Sequence, residues 1–185
     1  ILFARSVTGL HFTGNTIEQV TDFEPWHYNK HMFNFEACKN VNIKDKTILI
    51  IGAGGATKGI IPALLAENPK HIHITNRTTD KAIELAEQFD HCDAITDESA
   101  SQNYDLIIHA TSIGHKGLCP TLNKTWFHDK TTAYDLSYGK AAEPFLTEAT
   151  KQSAQHVYEG LGMLYGQAAL AFEIWFGQPP EIETT

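Results

Sequence analysis

The pattern of apolar and polar positions changes character near Lys44. Residues 1–44 are rich in aromatics, among them Phe3, Phe12, Phe23, Trp26, Tyr28, Phe33 and Phe35, without regular alternation. Only Pro25 to Cys38 suggests a helix there, with Pro25 in its first turn, where a missing N–H costs nothing. From Lys46 onward, short β-branched runs alternate with helical patterns, the texture of strands joined by crossover helices. Thr47 to Ile51 is an unbroken apolar run followed by glycines, which predicts a strand buried on both faces. A helix is expected from Ala56 to Glu67, and a second strand from His71 to Thr75. Next comes a helix from Thr79 to Phe89, presenting Ala82, Ile83, Leu85, Ala86 and Phe89 on one face. Strands follow at Leu106–His109 and Thr132–Asp135, with a weaker one near Ala94. Towards the end come a helix after Pro144, a strand at His156–Tyr158 and an apolar helix from about Met163 to Phe176, stopped by Gly177 and the Pro179-Pro180 pair. The expectation is an α/β fold with a doubly wound, mainly parallel, Rossmann-like sheet over residues 45–185, and a segment of unclear fold over 1–44.

Composition narrows the function. Apolar residues at 42% against 19% charged, with no apolar run long enough to span a bilayer, describe a globular chain with its own core and no membrane span. Lys and Arg number 14 against 22 Asp and Glu, a formal charge of -8 that disfavours nucleic acid as a partner. An anionic small molecule then needs a local positive site, such as a helix N-terminus or a well-placed Arg. Cys38, Cys92 and Cys119 are odd in number and make no C-x-x-C, so a reducing, cytoplasmic location is expected. Ten histidines are present, yet none has a local metal-binding spacing; His71 and His73 simply alternate on a strand, and no metal site is assigned. The start at Ile1, without Met and without a basic stretch leading an apolar core, is what a fragment gives and carries no secretory signal.

The chemistry concentrates at strand ends. Gly52-Ala53-Gly54-Gly55-Ala56 stands between the first strong strand and a helix, where a dinucleotide's pyrophosphate is cradled by backbone N–H groups. The spacing departs from G-x-G-x-x-G, because Thr57 stands where the third glycine belongs, and no G-K-[ST] makes it a P-loop. Roughly twenty residues on, where an NAD-binding chain places a carboxylate, stands Asn76-Arg77-Thr78. Arg77 brings a cationic donor fork, Asn76 and Thr78 bring neutral donors, and Lys81 lies a turn into the next helix; together they suit a 2′-phosphate, hence NADP. Alternative readings are a plain βα turn for the glycines, a solvated Arg77 and Thr78 as a mere helix cap.

Three further stretches complete a resemblance: His109-Ala-Thr-Ser-Ile-Gly114, Tyr134-Asp-Leu-Ser-Tyr138 and Glu159-Gly-Leu-Gly-Met-Leu-Tyr-Gly-Gln-Ala168. In this order, with the glycine loop and Asn76-Arg77-Thr78, the chain from about Thr47 to Pro180 resembles the shikimate dehydrogenase family. The resemblance implies NADP-dependent interconversion of 3-dehydroshikimate and shikimate in aromatic amino acid biosynthesis, by a monomer or homodimer. A quinate/shikimate dehydrogenase and a non-catalytic NADP-binding module are the alternatives. It also implies that Thr111, Ser112 and Ile113 lie along the cofactor, that Gly160 and Met163 lie beside the nicotinamide, and that Tyr138 and Gln167 hydrogen-bond the substrate's hydroxyls. The family's usual Asn is His109 here, and Glu159 replaces its Asp or Asn before Gly-Leu-Gly-Met. Taken singly, His109 reads as a satisfied buried histidine, Tyr138 as a loop aromatic and Gln167 as a polar residue on a core helix. Ketone reduction wants a general acid, which the family supplies as a Lys and Asp pair from a preceding substrate domain. That pair has no match here. Gly14-Asn15-Thr16 is similar to the family's Asn-Thr-Asp element but Ile17 holds the Asp position, and Asp22 and Lys30 lack a matching context, so no catalytic residue is assigned.

Overall fold

The computed structural model describes residues 43–96, 102–178 and 180. The helix expected over Pro25–Cys38 lies outside these residues. Six strands form one sheet: β1 (Thr47–Ile51), β2 (His71–Thr75), β3 (Cys92–Ala94), β4 (Leu106–His109), β5 (Thr132–Asp135) and β6 (His156–Tyr158). Every neighbouring pair is parallel and the order is β3-β2-β1-β4-β5-β6, which is the doubly wound arrangement the sequence suggested. Among the described residues four α-helices accompany it: α1 (Gly55–Ala66), α2 (Thr79–Ala86), α3 (Glu143–Lys151) and α4 (Leu161–Phe176).

The continuous apolar run of β1 is explained by its place at the centre. Ile48 and Ile50 face Ile60, Ile61 and Leu64 of α1 and Leu85 of α2, whereas Leu49 and Ile51 join Ile107, Trp126 and Phe145 on the opposite face. Ile48, Leu49 and Ile50 are completely buried. Each such side chain stabilises the fold by about 1.5–3 kcal/mol relative to exposure.

Two helices correct the sequence reading. In α2, Ala82, Leu85 and Ala86 are buried, but Ile83 is 41% exposed. Positions 82, 85, 86 and 89 follow the three- and four-residue spacing of a single stripe, and Ile83 falls about 100° away from Ala82. The helix also ends at Ala86, and Phe89 packs on the core from the turn that follows. α4 starts two residues before the expected Met163, and it buries none of its residues; Tyr165, Trp175 and Phe176 are mostly exposed. Gly177 ends it in the left-handed conformation, at φ 71°.

At the strand starts, Asp105 ties β1 to the entry of β4. Its carboxylate accepts from the Thr47 N–H at 2.9 Å and from Lys46 Nζ at 3.0 Å. Partial burial pushes this carboxyl up, but the two donors outweigh it and hold it below the usual range. A lowered folded-state pKa means the contribution is present above the unfolded value and fades as pH falls through the folded one. Asp105→Asn is therefore expected to cost about 1 kcal/mol at neutral pH, with the gap to wild type closing below about pH 4, as read from urea unfolding across pH.

Candidate active site

All six parallel strands end on the same edge of the sheet, and the chain reverses its winding between β1 and β4, the point beyond which doubly wound sheets hold their ligands. Every residue the sequence singled out as cofactor- or substrate-binding lies on this edge or on a helix leaving it. Gly52 to Ala56 follow β1, Asn76 to Thr78 follow β2, Thr111 to Ile113 follow β4, Tyr138 follows β5, and Gly160 caps α4, which carries Met163 and Gln167.

Gly52 is fixed by the fold itself. It adopts φ 120°, and a Cβ there would stand 2.9 Å from both the Ala110 carbonyl oxygen and Thr111 Cγ2. Its N–H donates to the Thr75 carbonyl at 2.7 Å and its carbonyl accepts from the buried Thr57 hydroxyl at 2.7 Å. Thr57, in the place of the third glycine, thus closes the loop from inside. Gly54 and Gly55 differ: a Cβ on either would meet nothing within 4 Å. Gly54 caps α1 from an extended conformation, no side chain caps the helix and no acidic residue occupies its first turn. The free N–H groups and positive end of the dipole face outward, a cradle shaped for an anion approaching the backbone.

A contrast between two variants follows. Gly52→Ala forces an alanine into a conformation side chains rarely adopt and into the Ala110 carbonyl, and is expected to cost about 1–3 kcal/mol of stability. Gly54→Val fits the free fold, so its melting temperature should match wild type while NADP binding weakens at least about tenfold, as read by calorimetry. Normal binding by Gly54→Val would mean the loop is a turn and nothing more.

At the β2 tip no carboxylate is present. Arg77 and Lys81 are exposed, and no ion pair to either appears among the described residues. Thr78 holds the N-cap position of α2, yet its hydroxyl caps nothing. Asn76 is partly occupied locally, because its amide donates to the Thr78 carbonyl at 2.9 Å and curls the loop. The edge therefore offers an open guanidinium and an open hydroxyl next to an uncapped helix.

Between the glycine loop and the β5 loop lies a buried polar chain that sequence reasoning did not assemble. His109 and Asp135 are register partners at the last positions of β4 and β5, and both are fully buried. His109 Nδ1 lies 2.7 Å from Asp135 Oδ2, and Nε2 lies 2.6 Å from Thr111 Oγ1. A carboxylate only accepts, which assigns the Nδ1 proton, while Nε2 and the Thr111 hydroxyl share the second hydrogen bond. Asp135 Oδ1 accepts from the Ser137 N–H at 2.7 Å, and the ring packs 4.9 Å from Phe145. One network thus positions Thr111, which lines Gly52, and the loop that carries Tyr138. The satisfied-histidine reading of His109 describes its bonding well, and its place in the network adds a positioning role.

The same loop is held from the other side. Glu159 Oε2 accepts from the Gly139 N–H at 2.8 Å, and the Gly160 N–H donates to the Ser137 carbonyl at 2.7 Å. A Cβ on Gly160 would collide with the Leu136 carbonyl oxygen, so α4 can start this close to β5 only with glycine. Tyr138, Ser112 and Gln167 are exposed and Ile113 and Met163 half-buried. Gln167 does not sit on a core helix, since α4 buries nothing.

Known proteins resemble this chain over most of its length. Residues 36–137 match the family described as Shikimate / quinate 5-dehydrogenase, and residues 160–185 match the Shikimate 5'-dehydrogenase C-terminal domain. The Shikimate dehydrogenase (NADP(+)) of Coxiella burnetii (strain Dugway 5J108-111) is 46% identical over 146 residues, covering 77% of this chain and 54% of the relative. The crystal structure of shikimate 5-dehydrogenase from Thermus thermophilus in complex with NADP(H) and shikimate is similar with a TM-score of 0.67 at 32% identity, over 80% of this chain and 56% of that one. The ligand-free 5-ketofructose reductase of Gluconobacter sp. strain CHM43 follows with a TM-score of 0.64 at 26% identity, over 83% and 58%. The chain spans about half the length of the curated relatives it matches.

Proposed function

Because this chain belongs to the shikimate/quinate 5-dehydrogenase family, we propose that it forms the NADP-binding half of a shikimate dehydrogenase, which interconverts 3-dehydroshikimate and shikimate. Residues 45–185 make up the dinucleotide-binding domain, residues 1–44 belong with the remainder of the enzyme, and the odd cysteine count fits a cytoplasmic setting. The observation that carries the reading is the β2 tip, where Arg77 has no carboxylate partner among the described residues and stands beside an uncapped Thr78.

The residues present fit NADP. The N–H groups at the start of α1, exposed at Gly54 and Gly55 with room for a ligand, hold the pyrophosphate. Arg77, with Thr78, Lys81 and the remaining capacity of Asn76, holds the 2′-phosphate and sets the preference over NAD. Thr111, Ser112 and Ile113 run along the cofactor, with Thr111 fixed by His109, while Gly160 and Met163 flank the nicotinamide. When bound, NADP supplies the hydride acceptor or donor. Tyr138 and Gln167 orient the polyhydroxy acid from the β5 loop and α4, and the Glu159 and Ser137 hydrogen bonds keep that loop and the helix in register.

Calorimetric titration of both cofactors tests this. Wild type should prefer NADP, and Arg77→Ala should lose about 1.5–3 kcal/mol of NADP binding, tenfold or more, with NAD nearly unchanged. Equal loss for both cofactors would remove the 2′-phosphate assignment.

A further inference from the structure

On the face of the sheet turned away from α1 and α2, β2 and β3 bring together three side chains with metal-ligating atoms. Ile72 and Ile74 of β2 and Cys92 of β3 point into the core under those helices, so the alternation of a strand sends His71, His73 and Asp93 to the other side. His73 and Asp93 are register partners, and His71 is two residues upstream of His73 on the same face. We propose that His71, His73 and Asp93 form a binding site for a divalent cation of the zinc, nickel or copper(II) kind, separate from the dinucleotide edge.

One ligand atom from each of the three lies within 4.8 Å of the others. His71 Nε2 and Asp93 Oδ2 are 2.7 Å apart, and the two imidazole rings stand edge to face at 4.8 Å between centroids. Bonds of about 2.0–2.2 Å to nitrogen and carboxylate oxygen put tetrahedral ligands roughly 3.3 Å from one another, so the closest pair must open slightly and the widest must close. Side-chain rotation supplies both movements, because Asp93 is 69% exposed and His71 only half-buried.

The surroundings hold the His73 ring in place. His73 Nδ1 lies 3.0 Å from the Tyr104 hydroxyl, which can accept from it and fix the ring; the Gln102 amide nitrogen, a donor, stands 2.7 Å from the same Nδ1, and the amide must turn its oxygen inward for Nδ1 to carry the proton while Nε2 ligates. Two imidazoles with a single carboxylate select borderline cations over magnesium or calcium, which want several oxygens. No spacing along the chain reveals the site, since its third ligand arrives on a different strand. The place is distinct from the NADP loops: His71 begins β2, whereas Asn76 and Arg77 follow its far end. A cation held there would clamp the three-residue edge strand β3 to β2.

The test uses the full 185-residue chain without a histidine tag, titrated with Zn2+ against a chromogenic chelator near neutral pH. Wild type should take up Zn2+ and gain melting temperature, with no response to Mg2+. His71→Ala, His73→Ala and Asp93→Asn should each weaken Zn2+ at least about tenfold, since even outer-shell losses cost that much. Asp93→Asn changes an exposed side chain and keeps the fold, so its NADP affinity should equal wild type and its Zn2+ result stands even if His73→Ala is destabilised. Zn2+ uptake that is absent in wild type, or equal in wild type and Asp93→Asn, would overturn the site.

Discussion

Asp135→Ala is expected to lower the unfolding free energy by about 3–5 kcal/mol, a large part of the roughly 5–15 kcal/mol that stabilises a typical domain. The expectation rests on what the carboxylate leaves behind. Neither Asp135 nor His109 has any exposed side-chain surface, so water cannot replace the lost acceptor. The substitution strands the His109 Nδ1–H and the Ser137 N–H, both at 2.7 Å in the native fold, and opens a cavity against the inner ends of β4 and β5. Urea unfolding followed by circular dichroism reads the loss as a lower midpoint. A loss below about 1 kcal/mol would show that the pair adds little. Should Asp135→Ala fail to fold, two other variants still decide the matter. Thr111→Val removes the outer bond of the network together with the long 3.4 Å bond from the Ile113 N–H, and should cost about 1 kcal/mol. Replacing His109 and Asp135 together by leucine should recover much of the single-variant loss, because the imidazole N–H is then no longer stranded.

The strands were legible because β-branched runs such as Thr47–Ile51 and Leu106–His109 are too apolar and too short to be anything else in a parallel sheet. The doubly wound, parallel class followed from alternation with helices, and the glycine loop and β2 tip from spacing relative to those strands. Legibility failed where a contact depends on register between strands distant in sequence. His109 and Asp135 are separated by 26 residues, and only the β4–β5 pairing makes them neighbours. The available signal was modest: each is a polar residue ending an apolar run, at the carboxyl edge where a doubly wound sheet gathers its ligands. Thr57 was seen as a departure from a glycine pattern, but its use, a hydroxyl closing on the Gly52 carbonyl, required the turn itself. Ile83 was misplaced for a simpler reason: apolar identity was weighed above helical angle.

The last expectation is that the 185-residue chain binds NADP yet turns shikimate over slowly or not at all. Reduction of a ketone by hydride leaves an alkoxide, and a placed general acid contributes about 10²–10⁴-fold to such a step. Among the described residues the Lys46–Asp105 ion pair has the right chemistry but the wrong place. It stands where β1 and β4 begin, while Gly52, Thr111 and Tyr138 stand where strands end, and five residues of β1 at about 3.3 Å each separate the two edges. Lys140 lies near Tyr138 in the turn Gly139–Ala141, but none of the described ion pairs joins it to an Asp. In the proposed reading Tyr138 and Gln167 would hold the substrate from one wall only, which forfeits part of the roughly 7–11 kcal/mol that full orientation can supply. Binding and chemistry should therefore separate: calorimetry gives an NADP affinity that responds to Arg77→Ala, while NADPH formation with saturating shikimate stays far below the ~1–10³ s⁻¹ of ordinary enzymes. Turnover within that range would defeat the expectation. It would send the search for the acid to residues 1–42, where Asp22→Asn and Lys30→Met should then abolish activity while leaving NADP affinity unchanged.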